Sequence, residues 1–216
     1  MIQYGEWGAE MQFMLKRIFD LFVSLIGLLV LSPLFLLIAI AIKIDSRGPV
    51  IFKQVRGGYQ GRHFKIYKFR TMCVNAENKG MGYKTKNNDP RITKVGSFLR
   101  KTSIDELPQL INVLKGDMSI VGPRPALPVH TDNYDDHQRQ RLKVKPGITG
   151  YAQIKGRNEL SWDEKIEFDI FYVKNFSLWL DLKIIIKTLF VIFKFNGIYV
   201  KSETELSEEN SYAKRG

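Results

Sequence analysis

The stretch LFVSLIGLLVLSPLFLLIAIAI, residues 21–42, decides how the rest of the chain is interpreted. It contains no charged side chain, and as a helix it would be about 33 Å long, enough to cross the hydrocarbon core of a bilayer. It is too long for the apolar core of an ordinary signal peptide, and it lacks a small-residue cleavage site. We therefore predict a membrane segment that is retained in the mature protein.

The centre and the flanks of this run predict how it sits in the membrane. Ser32 and Pro33 lie at its middle, where the proline removes a backbone hydrogen bond and favours a bend. Each half is then about 16 Å long, which suits a helix that enters one leaflet and returns. A simple crossing usually carries its basic excess on one side, whereas here both flanks are basic, with Lys16, Arg17, Lys43 and Arg47. We predict a re-entrant helix over residues 16–44; the alternatives are a plain span with a tolerated proline and a buried core helix.

Composition limits the remaining possibilities. The 216 residues suffice for one ordinary domain with an accessory segment. The formal net charge of +11 indicates anionic partners such as phosphorylated substrates, a membrane surface or nucleic acid. The single Cys73 cannot form an internal disulfide, which favours a reducing compartment. The three histidines lack the spacing of a zinc site.

The segments after residue 44 indicate an α/β body that is mostly helical with a small β-hairpin or sheet. PVIFKQV and HFKIYKFRTM alternate in polarity and are joined by the turn-rich RGGYQGR, which predicts a hairpin. Residues 95–116 have apolar side chains at helical spacing, and the three prolines within residues 121–129 favour an extended chain. Ser161, with Glu164 three residues later, predicts a capped helix.

A second apolar segment, SLWLDLKIIIKTLFVIFKF, lies near the C-terminus. Its lysines 183, 187 and 194 share one helical face, and apolar and aromatic residues fill the rest. This pattern favours an amphipathic helix at the membrane interface. The alternative is a helix packed on the core of the domain with a solvated lysine edge.

Two adjacent carboxylates, Asp105 and Glu106, stand in TSIDELPQLINVLKGDMSIVGPRP, residues 102–125. Ser103 and Glu106 could form a capping box, but Pro108 would then fall at the fifth helical position, where its missing N–H matters. A helix that starts near Pro108 fits better and places both acids at its N-terminal end. One alternative is a helix-start signal only. The other is a carboxylate nucleophile beside a second carboxylate that holds a cation.

The nucleophile interpretation requires neutralising charge nearby. An aspartate that attacks phosphorus must approach an anionic group, so a divalent metal and basic side chains are needed. Arg124 and Arg157 stand out because they lie in turns rich in proline or glycine, where a guanidinium can be fixed. The further candidates are Lys68, Arg70, Arg91 and Arg100.

Several long motifs resemble one known family. They are LKRIFDLFVSLIGLLVLSP, FKIYKFRTM, SIDELPQLINVLKGDMSIVGPRP, KPGITGYAQIKGRN and SWDEKIEFDIFYVKN. In this order, over residues 16–200, they resemble the bacterial sugar transferases, also called monotopic phosphoglycosyl transferases or polyprenyl-phosphate sugar-1-phosphate transferases. The chain resembles their minimal catalytic type.

The resemblance implies a reaction and roles for named residues. Such enzymes move a sugar-1-phosphate from a UDP-sugar onto undecaprenyl phosphate and release UMP. Asp105 matches the family nucleophile, and Glu106 matches its partner in Mg²⁺ binding and catalysis. Ser32-Pro33 matches the bend of a re-entrant helix. The candidates for substrate binding that match basic positions of the family site are Lys68, Arg100, Arg124 and Arg157. Asp169 is a further candidate because it lies in the matching motif SWDEKIEFDIFYVKN, and Arg70 is one because of its charge.

The residue patterns and the family resemblance together predict how the chain is organised. Residues 1–15 form a leader, 16–44 the re-entrant helix, 45–200 a cytoplasmic catalytic domain with an interfacial helix, and 201–216 a polar tail that we expect to be disordered. The expected site of action is the cytoplasmic face of the bacterial inner membrane, in the synthesis of surface polysaccharide. The expected partners are a UDP-sugar, undecaprenyl phosphate and membrane lipid, without nucleic acid. Downstream glycosyltransferases and a second copy of the chain are further candidate partners.

Two rival functions belong to other classes. A membrane-tethered protein that binds nucleic acid or anionic lipid through its basic surface would have no use for Asp105 and Glu106. A non-catalytic scaffold of a polysaccharide assembly would be a degenerate relative of the enzymes. The intact Asp105, Glu106 and Arg124 favour the enzyme over the scaffold.

Overall fold

The computed structural model describes residues 6–78, 89–156 and 159–193. The predicted tail at 201–216 and the candidate Arg157 lie outside the described residues. Most of the described chain is helical, with two small β-sheets. This agrees with the predicted α/β class.

The apolar run forms the middle of one long helix, α1, Glu6–Asp45. Its 40 residues correspond to about 60 Å, and the helix begins well before the predicted boundary at residue 16. Within the described residues, it is the one helix long and apolar enough to cross a membrane. The helix continues through Pro33 without a break, and the Ser32 hydroxyl donates to the Leu29 carbonyl oxygen at 2.7 Å. The bend at Ser32-Pro33 therefore stays a prediction.

Both ends of the apolar run lie against the same body. At the N-terminal end, the Arg17 guanidinium donates to the Val113 carbonyl oxygen at 2.7 Å. At the C-terminal end, Ile42 packs in a buried cluster with Phe69 and Leu99. The side chains between these two contacts are mostly exposed and apolar. One side of α1 is thus part of the fold, and the other has no protein cover in the described chain.

The predicted hairpin is confirmed. Strands β1, Ile51–Gly57, and β2, His63–Phe69, pair antiparallel with Ile51 opposite Phe69 and Gly57 opposite His63. The connection includes a short 3-10 turn, Tyr59–Gly61, in which Gly61 has a φ of +77°. Glycine adopts that backbone conformation without the clash that a Cβ would cause.

The segment predicted as helical over residues 95–116 is divided into three pieces. Helix α2, Lys94–Lys101, is followed by a 3-10 turn, Ile104–Glu106, and by helix α3, Gln109–Lys115. Ser103 has a φ of +58°, a left-handed conformation that ends the first helical direction. Pro108 then occupies the start of α3, as predicted. The helical spacing of the apolar residues correctly predicted helices, but it could not show that the chain changes direction at Ser103.

A second sheet lies behind this segment. Strands β3, Ser119–Val121, and β4, Gly147–Thr149, pair in parallel. The crossover between them carries helix α4, Pro128–Thr131, and a 3-10 helix, Gln138–Lys143. The extended chain predicted for residues 121–129 therefore ends at Leu127, because proline is compatible with the first turn of a helix.

Three helices complete the body: α5, Tyr151–Lys155, α6, Trp162–Lys174, and α7, Leu178–Phe193. The capping box predicted at the start of α6 is confirmed, since Ser161 and Glu164 bond each other's backbone N–H groups. Asp181 and Ile184 on α7 are buried, and Lys16 of α1 donates to Asp181 at 2.5 Å.

The opposite face of α7 is exposed and largely apolar. Its large side chains there are Trp179, Leu182, Ile186, Leu189 and Phe190. The two sequence alternatives for this helix thus apply to different faces. Core packing is observed on one face, and contact with the membrane interface stays a prediction for the other.

Candidate active site

Asp105 and Glu106 lie in the tight turn between α2 and α3. The left-handed Ser103 makes no side-chain cap hydrogen bond, so the structure excludes the capping box of Ser103 and Glu106. Both acids are partly buried. The turn presents the two carboxylates side by side and ahead of α3.

Glu106 is held by two cations from separate elements. Lys68 of β2 donates to Oε1 at 2.6 Å, and Arg124 bonds both carboxylate oxygens, at 2.5 Å to Oε1 and 3.1 Å to Oε2. The Arg124 side chain is 49% exposed, whereas Lys68 and Glu106 are 18% and 17% exposed. Arg124 can therefore meet a ligand from solvent while it holds Glu106.

The loop that carries Arg124 is fixed by close backbone contacts. The Gly122 N–H donates to the Thr149 carbonyl oxygen, and the Gly147 N–H donates to the Pro123 carbonyl oxygen, both at 2.9 Å. A Cβ on Gly122 would come within 2.3 Å of the Lys145 carbonyl oxygen. Only glycine fits there, and the tight loop aims Arg124 at the acids.

The two carboxylates have opposite pKa shifts. Burial raises the pKa of Glu106, but the charges of Arg124 and Lys68 outweigh it and hold the pKa well below its usual range. Burial and the Glu106 charge raise the pKa of Asp105 to about 6, against the opposing charges of Lys68, Arg100 and Arg124. Glu106 is therefore a fixed anion, and Asp105 is an anion that is costly to keep charged.

Within the described part of the chain, the Asp105 carboxylate makes no hydrogen bond or ion pair. Its oxygens are thus available, in contrast to those of Glu106. A poorly solvated carboxylate beside three cations can attack an electrophilic phosphorus centre, because the cations offset the charge of the incoming phosphate. This arrangement is suited to covalent phosphoryl chemistry.

The other predicted site residues are divided between the site and the framework. Arg100 acts on Asp105 through its charge and donates to the Thr71 hydroxyl at 2.8 Å. Arg70 is buried and donates to the Ser46 carbonyl oxygen at 2.7 Å, so it ties the hairpin to the end of α1. Arg91 is buried and ion-paired with Asp89.

Asp169 lies one layer behind the site. It is 1% exposed and forms an ion pair with Arg141, which is 4% exposed. Arg141 also donates to the Tyr134 hydroxyl at 2.5 Å and to the Arg124 carbonyl oxygen at 3.0 Å. Asp169 therefore reaches the site through Arg141 and the Arg124 loop.

Sequence reasoning did not select Arg141. It stands two residues after the exposed Arg139 in the polar run HQRQRLK. Its burial depends on a carboxylate on α6 and on a loop that folds back, and no local pattern distinguishes it from Arg139.

The two acids fit a metal site that is shared with a substrate. The described residues contain no group of three or more His, Cys, Asp or Glu side chains that could hold a metal. Magnesium sites at phosphate-handling centres commonly use one or two carboxylates and take the remaining ligands from substrate phosphates and water. The Asp105 oxygens, which are unpaired among the described residues, fit that kind of shared site. Glu106 is the adjacent second carboxylate, but Lys68 and Arg124 already bond both of its oxygens.

Comparison with known proteins places the chain in a family. The family model described as "Bacterial sugar transferase" matches residues 11–195. A protein named "Uncharacterized sugar transferase EpsL" from Bacillus subtilis (strain 168) is 47% identical over 184 residues, covering 85% of this chain and 90% of the relative.

Two longer relatives have more specific names. The "UDP-glucose:undecaprenyl-phosphate glucose-1-phosphate transferase" of Escherichia coli (strain K12) is 48% identical over 194 residues, covering 86% of this chain and 42% of the relative. The "UDP-N-acetylgalactosamine-undecaprenyl-phosphate N-acetylgalactosaminephosphotransferase" of Aeromonas hydrophila is 46% identical over 181 residues, covering 81% of this chain and 43% of the relative. The chain spans less than half the length of these two relatives. The family match runs from α1 to α7 and includes both carboxylates, and the chain belongs to the bacterial sugar transferase family of enzymes.

Proposed function

We propose that the protein transfers a sugar-1-phosphate from a UDP-sugar to undecaprenyl phosphate and releases UMP, as the first membrane step of a bacterial surface glycan pathway. The observation that carries the proposal is the Asp105 carboxylate, which has no partner among the described residues and lies beside Glu106, which Lys68 and Arg124 neutralise. Two relatives bear names that state this type of transfer, with different sugars.

In the proposed first step, an Asp105 oxygen attacks the sugar-bearing phosphorus of the UDP-sugar. The bond to the bridging oxygen breaks, UMP leaves with the electron pair, and the sugar phosphate is held on Asp105 as an acyl phosphate. In the second step, an oxygen of undecaprenyl phosphate attacks the same phosphorus. The Asp105 carboxylate leaves, and the lipid diphosphate sugar is released. Because one site serves two anionic substrates in turn, ping-pong kinetics are expected.

The chain's own cations have defined tasks in this scheme. Lys68 and Arg124 hold Glu106 and offset charge at the phosphoryl group, and Arg100 favours the ionised form of Asp105. Mg²⁺, when bound by Asp105 or Glu106, would neutralise phosphate oxygens and stabilise the leaving group. Arg157 and Asp169 remain candidate substrate-site residues, Asp169 through its contact with Arg141.

We also propose a re-entrant, monotopic arrangement with the active site on the cytoplasmic side. Support comes from the contacts at both ends of the apolar run, since Arg17 and Ile42 lie against the same body. A straight crossing would place these contacts on opposite sides of the bilayer. The basic residues on both flanks favour the cytoplasmic side for each end.

The reaction is tested by UMP release from the purified protein in lipid nanodiscs. A panel of UDP-sugars is supplied with and without undecaprenyl phosphate, and with Mg²⁺ or EDTA. We expect turnover with at least one sugar that requires the lipid, stops in EDTA and returns with Mg²⁺. Lipid-independent hydrolysis alone, or no UMP from any sugar, would contradict the proposed transfer. Full activity in EDTA would contradict the proposed requirement for Mg²⁺.

Glu106→Gln and Lys68→Met are expected to shift the pH dependence of kcat/KM in opposite directions. The Glu106 charge raises the pKa of Asp105 and the Lys68 charge lowers it. The acidic limb of kcat/KM should therefore move to lower pH in Glu106→Gln and to higher pH in Lys68→Met. Lys65→Met, an exposed position on the same strand, is the matched control and should leave the limb in place. Shifts of the same sign in both site variants would refute this electrostatic account.

A further inference from the structure

An apolar groove lies between the second half of α1 and helix α2. Its volume is about 480 Å³, within the range of small-molecule sites in proteins. Each helix contributes apolar residues to its lining: Leu37, Ile38 and Ala41 from α1, and Val95, Phe98 and Leu99 from α2. We call this the α1–α2 groove.

The groove opens toward the surface assigned to the membrane. One wall belongs to the apolar run of α1, where Leu37 is 65% exposed, and Phe98 on the opposite wall is 60% exposed. Among the described residues, Lys94 is the one charged member of the lining. A hydrocarbon ligand could therefore enter from the bilayer without exposing apolar surface to water.

The same groove lies beside the carboxylate site along α2. Leu99 in its floor is followed directly by Arg100, whose charge acts on Asp105. Leu99 and Ile104 pack in one cluster, and Ile104 is the residue before Asp105. The α2 helix thus has the apolar groove along its length and the phosphate-compatible cations at its C-terminal end.

This geometry points to one kind of occupant. We propose that the α1–α2 groove binds the isoprenoid chain of the polyprenyl phosphate acceptor, next to its phosphate. The inference rests on the proposed function and adds where the acceptor's chain lies. A phosphate monoester with an apolar tail matches the cations at one end and the apolar lining at the other. An ordinary phospholipid matches less well, because its phosphate is a diester with less negative charge.

A matched pair of substitutions tests the groove. Leu37→Trp narrows it, whereas Leu36→Trp places the same bulk on the neighbouring residue, which is 63% exposed and outside the groove. Acceptors are undecaprenyl phosphate and the short farnesyl phosphate, assayed in nanodiscs. Leu37→Trp should raise the KM for undecaprenyl phosphate about tenfold, which corresponds to about 1.4 kcal/mol. Its KM for farnesyl phosphate should rise as well, because the isoprene units nearest the phosphate occupy the groove. Its exchange of UMP with the UDP-sugar should stay unchanged, and Leu36→Trp should match the wild type throughout.

A second measurement identifies the bound chain without relying on turnover. Phe98→benzoylphenylalanine is irradiated in phospholipid nanodiscs with and without undecaprenyl phosphate, and the adducts are identified by mass spectrometry. An isoprenoid adduct that replaces phospholipid adducts supports the proposal. Phospholipid adducts alone, in the presence of undecaprenyl phosphate, would overturn it.

The two experiments separate this inference from the proposed function. If the wild type is active and Leu37→Trp leaves the KM for undecaprenyl phosphate unchanged, the groove does not bind the isoprenoid chain. The proposed transfer reaction would be unaffected by that result. A wild-type protein without lipid-dependent UMP release would overturn the reaction, and the cross-linking result would then decide the groove by itself.

Discussion

Asp105→Asn is expected to lower the rate of lipid-dependent UMP release by about 10⁴-fold or more, as for loss of other covalent nucleophiles. The amide cannot form the acyl phosphate, and the neighbouring Glu106 cannot replace Asp105, because Lys68 and Arg124 occupy both of the Glu106 oxygens. The measurement is single-turnover UMP release with the UDP-sugar that the wild type accepts. Asp163→Asn, an exposed position at the start of α6, is the control and should retain wild-type activity.

The same substitution should not weaken the fold. The pKa of Asp105 is raised to about 6, so the folded protein binds more protons than the unfolded chain between about pH 4 and 6. Stability therefore falls as the pH rises through that window, and the ionised side chain remains a cost at pH 7. Asp105→Asn removes this cost, which is at most about 3 kcal/mol at 1.36 kcal/mol per pKa unit.

The thermal midpoint provides the readout. In EDTA at pH 7, Asp105→Asn should melt at the same temperature as the wild type or above it. Between pH 4 and 6, its thermal midpoint should fall less with rising pH than that of the wild type. A variant that is inactive and also much less stable would mean that Asp105 has a structural role. A variant that retains full activity would exclude an acyl phosphate on Asp105.

Arg141→Met is expected to cost about 3–5 kcal/mol of stability, as when one partner of a buried ion pair is removed. It leaves the Asp169 carboxylate, 1% exposed, without the cation that pairs with it. Burial already raises the pKa of Asp169 to about 6, and the loss of Arg141 would raise it further. The loss of stability should therefore be larger at pH 8 than at pH 5, because a folded state that holds Asp169 protonated is disfavoured as the pH rises. Thermal midpoints about 10 °C below the wild type are expected.

A double replacement separates stability from positioning. Arg141→Met combined with Asp169→Leu removes both buried charges and should recover much of the stability. Turnover should stay depressed by up to about 100-fold, because the Arg124 carbonyl oxygen has lost the donor that fixes its loop. Lys143→Met, an exposed position in the same 3-10 helix, is the control for both readouts. Recovery of turnover together with stability would show that Arg141 has no positioning role.

The local patterns predicted the elements well and their mutual placement less well. The apolar run, the hairpin and the Ser161 cap each depend on neighbouring residues, so periodicity and cap chemistry were sufficient. The break at Ser103 depends on a left-handed residue that is not glycine, and helical spacing continues across it. Sequence therefore located the start of α3 but missed the turn that brings the acids forward.

The site shows the same division. Asp105, Glu106 and Arg124 could be selected because two acids and a fixed arginine have few structural uses in those contexts. Their pairing, with Lys68 as well, depends on contacts between β2, the turn and the loop after β3. Arg70 and Arg141 carry the same charge as Arg124, but their structural roles depend on their being buried. The sequence alone does not show which arginines are buried.

The attachment of α1 at both ends has a practical consequence for producing the protein. Removing α1 would uncover carbonyl groups at the end of α3 that Arg17 now bonds, and would leave Asp181 without Lys16. It would also expose the side of Phe69 and Leu99 that Ile42 covers. A truncated chain that begins at β1 should therefore aggregate instead of yielding a soluble catalytic fragment. We therefore expect the purified protein to need detergent or lipid, because the hydrophobic helix packs as part of the folded body.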